Sequence, residues 1–140
     1  MDSQRTYQLG QEFAEALRAV ERRDEGALER MVERFGPRAR LLNAALSHTD
    51  EERSGPDGAR AFWQAYQDTF REARTEFFEL TSSERAAGLF WTTRGVDARG
   101  EPLDYDGVTL LVFDDDGKIE LFRGYYDTRD LSRTVGQQEG

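Results

Sequence analysis

Apolar residues in the first half of the chain recur at helical spacing. Leu9, Phe13, Leu17 and Val20 follow one another at steps of four, four and three, one apolar stripe on a helix expected over residues 6–23. Asp24 is placed to cap a second helix, whose inner face reads Leu28, Met31, Val32 and Phe35. Gly36 and Pro37 are expected to end that helix, glycine by admitting a left-handed cap and proline by lacking a donor. Residues 39–46, ARLLNAAL, read as a strand. The polar, turn-rich stretch 47–57 reads as an exposed loop and a candidate lid. Asp57 is placed to cap a third helix, on which Phe62, Tyr66 and Phe70 lie one turn apart with Trp63 beside them.

After Ala73 the pattern changes to strands, expected at 75–80, 86–96, 106–113 and 118–127. Turn chemistry separates them: Ala98, Arg99 and Gly100 in one hairpin, Asp114 to Gly117 in the next. A short closing helix follows up to Thr134, and residues 136–140 read as a frayed tail. The reading is α+β: three N-terminal helices packed on one face of a curved, mainly antiparallel sheet, forming a cone with an internal cavity. That cavity is the default ligand site, within a single domain over residues 1–135.

Composition narrows the function classes. The 140 residues suffice for one core. The absence of cysteine removes disulfide frameworks, cysteine-zinc sites and thiol nucleophiles. A formal charge of -9 repels phosphate backbones, so nucleic acid is not the expected partner. No apolar run is long enough for a membrane span, and the N-terminus lacks the basic start and apolar stretch of a secretory signal; a cytoplasmic location is expected. His48 is the only histidine and has no acid cluster at ligand spacing around it. Asp114 to Gly117 lacks the alternating ligands and the final glutamate of a calcium loop, which favours a hairpin turn. Residues 95–100 lack the three-glycine spacing of a nucleotide fingerprint, and no serine stands in an elbow motif. Neither a cofactor nor a metal is expected.

The run VTLLVFDDDGKIELFRGYYDTRDL consists of an apolar strand, an Asp/Gly turn, Lys118-Ile119, an aromatic-rich strand, and Tyr126-Asp127 leading into the last helix. It resembles the closing hairpin of the nuclear transport factor 2-like superfamily, and within it the SnoaL-like polyketide cyclases and limonene-epoxide hydrolases. The N-terminal helices fit the same architecture. The resemblance implies a cone fold, a homodimer paired through its sheets and a small apolar molecule in the cavity. For activity it implies either a cofactor-independent cyclase, isomerase or epoxide-hydrolase-like enzyme, or a non-catalytic ligand-binding or dimerisation module.

The family's catalytic residues carry over only in part. Arg94 falls where the epoxide hydrolases of this fold hold a catalytic arginine. Val96 stands at the place of one of their acids, with Asp97 one step further, where a bulge would re-aim it. Gly124 stands at the place of the other acid. Against the steroid isomerases, Asn43 replaces the carboxylate base, Phe13 the oxyanion-hole tyrosine and Thr109 the protonated acid. Strand parity groups Arg94 with Phe90 and Thr92 on the face that lines the pocket in relatives. An inward arginine needs an anionic ligand or an acid as partner; the alternative is a strand-end arginine in solvent, paired across the sheet. The catalytic candidates are therefore Arg94, Asp97 and Asp127, although the place of Asp127 favours a helix cap. The ligand-binding candidates are Asn43, Tyr66, Phe90, Thr92, Thr109, Phe122 and Tyr126. For Tyr66 the competing role is that of a core aromatic at helical spacing.

Overall fold

The structure, a computed structural model, describes residues 1–43 and 53–126, and of Asn43 and Tyr126 the backbone only. Helix α1 spans Ser3–Arg22, with Asp2 as its N-cap accepting from the Arg5 amide at 2.8 Å. The predicted stripe is its buried face: Leu9, Phe13, Leu17 and Val20 all lie in the core. A short helix α2, Ala27–Val32, follows. Its N-cap is Gly26 in the left-handed region, not Asp24; the Asp24 carboxylate takes the Arg22 guanidinium instead, at 2.9 Å. Strand β1 runs from Phe35 to Asn43 and contains Gly36 and Pro37. Those residues begin a strand where a helix stop was expected, and Gly36 has no positive φ.

Strand β2, Arg53–Ser54, pairs with β1, and helix α3, Gly55–Thr69, begins directly after it. Only two helices thus precede the first strands, and the third lies between β2 and the rest of the sheet. Helix α3 starts at Gly55, so Asp57 sits in its first turn and not at its cap. The remaining strands are β3 (Phe70–Ser82), β4 (Ala86–Asp97), β5 (Pro102–Phe113) and β6 (Ile119–Tyr126). Strands β3, β4 and β5 are longer than the sequence pattern suggested, most of all β3, whereas β6 starts one residue later than expected.

The sheet order is β2-β1-β6-β5-β4-β3. All pairs are antiparallel except β1 with β6, so the sheet is mixed. The two hairpin turns read from the sequence, β4–β5 and β5–β6, fall at the expected glycines, Gly100 and Gly117, both with positive φ. In the second, the Asp114 carboxylate accepts from the amides of Asp116 and Lys118, each at 2.9 Å, which is turn chemistry and not metal ligation. Among the described residues there is no cluster of acids or histidine able to hold a metal, and no helix is long and apolar enough to cross a membrane.

Helix α1 packs over β3 and β4, α3 packs over β1, and α2 joins the two helices. The core between helices and sheet is aromatic. Trp63 of α3 meets Phe62 edge-on at 4.9 Å between ring centroids, and Phe122 and Tyr66 at 5.6 Å each. Strand β4 alternates cleanly, with Ala87, Leu89, Trp91 and Thr93 inward. Strand β3 carries two bulges, between Phe70 and Glu72 and between Phe77 and Glu79, each of which shifts the inward parity by one residue. Phe78, in the second bulge, is left 65% exposed.

Candidate functional site

A cavity lies between the helices and the sheet. It is lined by Phe13 and Leu17 of α1, by Phe62, Trp63 and Tyr66 of α3, and by inward residues of four strands, including Thr75, Trp91, Thr93 and Thr109. Its volume is about 30 Å³, room for one or two waters. The aromatic rings fill most of the interior, so any larger guest must part them.

The polar groups on this wall form a directed network. Two backbone locks set it up at the C-terminal ends of α1 and α3. Arg23 caps α1 in the left-handed conformation, φ 61°, a place usually held by glycine. From there its guanidinium donates to the carbonyls of Gln67 and Phe70, at 2.7 and 2.8 Å. Gln67 Nε2 returns a bond to the Val20 carbonyl at 3.1 Å. These contacts bring Glu21 of α1 against Tyr66 of α3 and Thr75 of β3. The Glu21 carboxylate accepts from Tyr66 Oη at 2.7 Å, from Thr75 Oγ1 at 2.6 Å and from the Thr75 amide at 3.0 Å.

Proton bookkeeping follows from the donor inventory. The single hydroxyl proton of Thr75 goes to Glu21, so Thr93, 2.7 Å away on the paired strand, must donate to Thr75. The chain therefore runs Thr93 to Thr75 to Glu21, with Tyr66 arriving from the helix side. On β5, Thr109 Oγ1 accepts from Trp91 Nε1 at 2.9 Å. Gly107 makes room for that indole: a Cβ there would stand 2.5 Å from the Trp91 ring and from the Tyr125 carbonyl. Burial is the main cause holding the Tyr66 hydroxyl well above its ordinary pKa, and the neighbouring Glu21 carboxylate adds to it.

Of the predicted ligand-binding residues, Tyr66, Thr109 and Phe122 line the cavity. Phe90 and Thr92 do not. They lie on the opposite face of β4, where Thr92 Oγ1 donates to Asp106 at 2.6 Å. Arg94 shares that outer face. Its side chain is 68% exposed, and its Nε stands 3.4 Å from Asp104 on the adjacent strand. The parity expected for β4 is thus reversed: Trp91 and Thr93 face inward in place of Phe90, Thr92 and Arg94. The reason is that β4 carries apolar residues on both faces, so hydrophobicity alone does not say which is buried. Asp97 ends β4 in a turn, where its carboxylate accepts from the amides of Arg99 and Glu101, each at 2.9 Å. Arg94 and Asp97 are not brought to the cavity wall. Asp127 and His48 lie outside the described residues, as do the side chains of Asn43 and Tyr126.

Glu21, Thr75 and Thr93 were not among the sequence candidates. One signal for Glu21 was present: counting four from Leu17 along the apolar stripe lands on it, and an acid on a buried stripe needs partners. Nothing local marked the two threonines, whose pairing depends on the bulged register of β3.

This architecture has known relatives. A protein of unknown function from Burkholderia pseudomallei K96243, described as NTF2-like, is 21% identical, with a TM-score of 0.76 over 94% of this chain and 97% of that one. A protein from Jannaschia sp. CCS1 named after the SnoaL-like polyketide cyclases is 17% identical, with a TM-score of 0.75 over 93% of each chain. The epoxide hydrolase/cyclase-like enzyme SalBIII, of pyran ring formation in the polyether salinomycin, is 17% identical, with a TM-score of 0.64 over 86% of this chain and 95% of its own. At such identities the likeness is one of fold. No curated protein matches the chain in sequence. The family model of the SnoaL-like domain matches residues 13–122, which include every described lining residue of the cavity. The chain belongs to the SnoaL-like domain family.

Proposed function

We propose that this SnoaL-like domain binds a small, uncharged, mainly apolar molecule between its helices and sheet. The observation that carries this reading is the cavity lining: aromatic and aliphatic side chains, three threonine hydroxyls and no charged group among the described residues. Such a wall favours an apolar body with one or two polar atoms and penalises a charged one. Both tryptophans of the chain, Trp63 and Trp91, line the cavity, so intrinsic fluorescence reports its occupancy. Titration with cyclohexanone or limonene oxide is expected to give a saturable fluorescence change, and cyclohexanecarboxylate none. If neither neutral compound produces a saturable change up to its solubility limit, the reading falls.

Catalysis has one specific observation in its favour. The Glu21 carboxylate is a single hydrogen bond from two lining residues, Tyr66 and Thr75, and it is a candidate proton acceptor for a cofactor-independent isomerisation, cyclisation or hydrolysis. Turnover of an epoxide or polyketide-like substrate that disappears in Glu21→Gln supports this second reading; turnover unaffected by that change excludes Glu21 from it. The outer sheet face, with Phe90, Val108 and Leu110 only half-buried, supports pairing of two copies there. A monomer mass by light scattering at micromolar concentration contradicts such pairing.

A further inference from the structure

We infer that the indole N–H of Trp63 is the hydrogen-bond donor that receives the cavity's guest, and that the guest presents an uncharged acceptor oxygen to helix α3. The inference rests on the cavity-binding reading above and adds to it a contact residue and a chemical class. Trp63 is 2% exposed and lines the cavity. Its Nε1 is the one buried side-chain polar atom without a hydrogen-bond partner among the described residues. Indole nitrogen can only donate, and a buried donor with no acceptor is uncommon in folded proteins because its hydration is lost without replacement.

No hydroxyl oxygen of the described wall accepts from it as the side chains stand. The hydroxyl protons of Tyr66 and Thr75 are committed to Glu21, and that of Thr93 to Thr75. Thr109 accepts from Trp91, which leaves its own hydroxyl proton uncommitted among the described side chains. The wall therefore offers two spare donors, Trp63 N–H and Thr109 O–H. A ketone, aldehyde, epoxide or ether oxygen accepts from such donors. A carboxylate or phosphate would too, but no cation lines the described wall and the nearest charge held by it is the Glu21 carboxylate. The five aromatic neighbours packed around Trp63 supply the apolar remainder of the site.

The test uses an isosteric pair, cyclohexanone and methylenecyclohexane, which differ in an oxygen against a methylene. The indole N–H resonances of the two tryptophans are followed by proton–nitrogen correlation spectra of the nitrogen-15 labelled protein, and that of Trp63 is assigned by its loss in Trp63→Phe. Cyclohexanone is expected to move the Trp63 N–H downfield while methylenecyclohexane does not. Trp63→Phe should weaken cyclohexanone relative to methylenecyclohexane by roughly fivefold, the worth of one neutral hydrogen bond. Equal shifts from both compounds, each binding, overturn the inference and leave cavity binding intact. A bound water that stays in contact with the Trp63 N–H when cyclohexanone is present overturns it as well, since the donor is then already satisfied. If neither compound binds, the cavity-binding reading fails and this inference with it. Where Trp63→Phe folds poorly, the Trp63 resonance is assigned as the one that remains in Trp91→Phe, and its shift in the unmodified protein decides the matter.

Discussion

Replacing Glu21 by glutamine keeps the shape of the side chain and removes one acceptor. The carboxylate takes two hydroxyls on Oε2, from Tyr66 and Thr75, and the Thr75 amide on Oε1. A glutamine has one oxygen to offer. With that oxygen in the Oε2 position, its NH2 group faces the Thr75 amide, donor against donor. With the oxygen at Oε1, the NH2 group faces both hydroxyls, and the chain through Thr75 to Thr93 must reverse. Either arrangement loses at least one hydrogen bond to a charged acceptor, a cost of about 2 kcal/mol. For 140 residues the unfolding entropy is about 0.3 kcal/mol/K, so the melting temperature should fall by about 7 °C. The assay is urea and thermal unfolding of Glu21→Gln, Tyr66→Phe and the double variant. Because both residues share one bond, the cycle should show a coupling of about 1 kcal/mol or more. Glu21→Gln within about 0.5 kcal/mol of the parent, with effects that add, would refute the network as drawn.

Arg94→Ala should change stability by no more than about 0.5 kcal/mol and leave the affinity for cavity probes unaltered, because its ion pair is exposed and on the far side of the sheet. A loss of probe binding in this variant would place Arg94 in the site after all. The raised pKa of Tyr66 sets an alkaline limit. A tyrosine whose folded pKa lies above its unfolded value of about 10 holds its proton more tightly when folded. Its contribution is complete below pH about 10 and is lost as pH rises from there toward the folded value. Urea midpoints should therefore fall more steeply above about pH 10 in the parent than in Tyr66→Phe; equal slopes would contradict the burial assigned to this hydroxyl.

Much of the helical and turn structure was legible residue by residue. The stripe of α1 is the buried face of α1, and Gly100 and Gly117 stand in the hairpin turns. These features depend on local rules: a period of 3.6 on a half-buried helix, and positive φ at a tight turn. Gly36 and Pro37 misled because the same residues that stop a helix are acceptable at the start of a strand. The end of α2 was set instead by entry into β1, a pairing with β6 that lies some eighty positions away in the chain.

The candidate site divides along the same line. Tyr66 and Phe122 could be placed by their elements, and both line the cavity. Arg94 could not, because Leu89, Phe90 and Trp91 are apolar without alternation, and the choice of buried face is made by helix α1 lying over β3 and β4. Glu21, Thr75 and Thr93 come from three elements, α1, a bulged β3 and β4, and Arg23 ties the end of α1 to that of α3 beside them. By itself, then, the sequence determined the buried stripe of α1, the hairpin turns at Gly100 and Gly117 and the family; the first two rest on contacts within a few residues. The tertiary structure alone decided which strand face is inside and which polar groups meet there, since a one-residue shift in register sends every side chain of a strand to the other side.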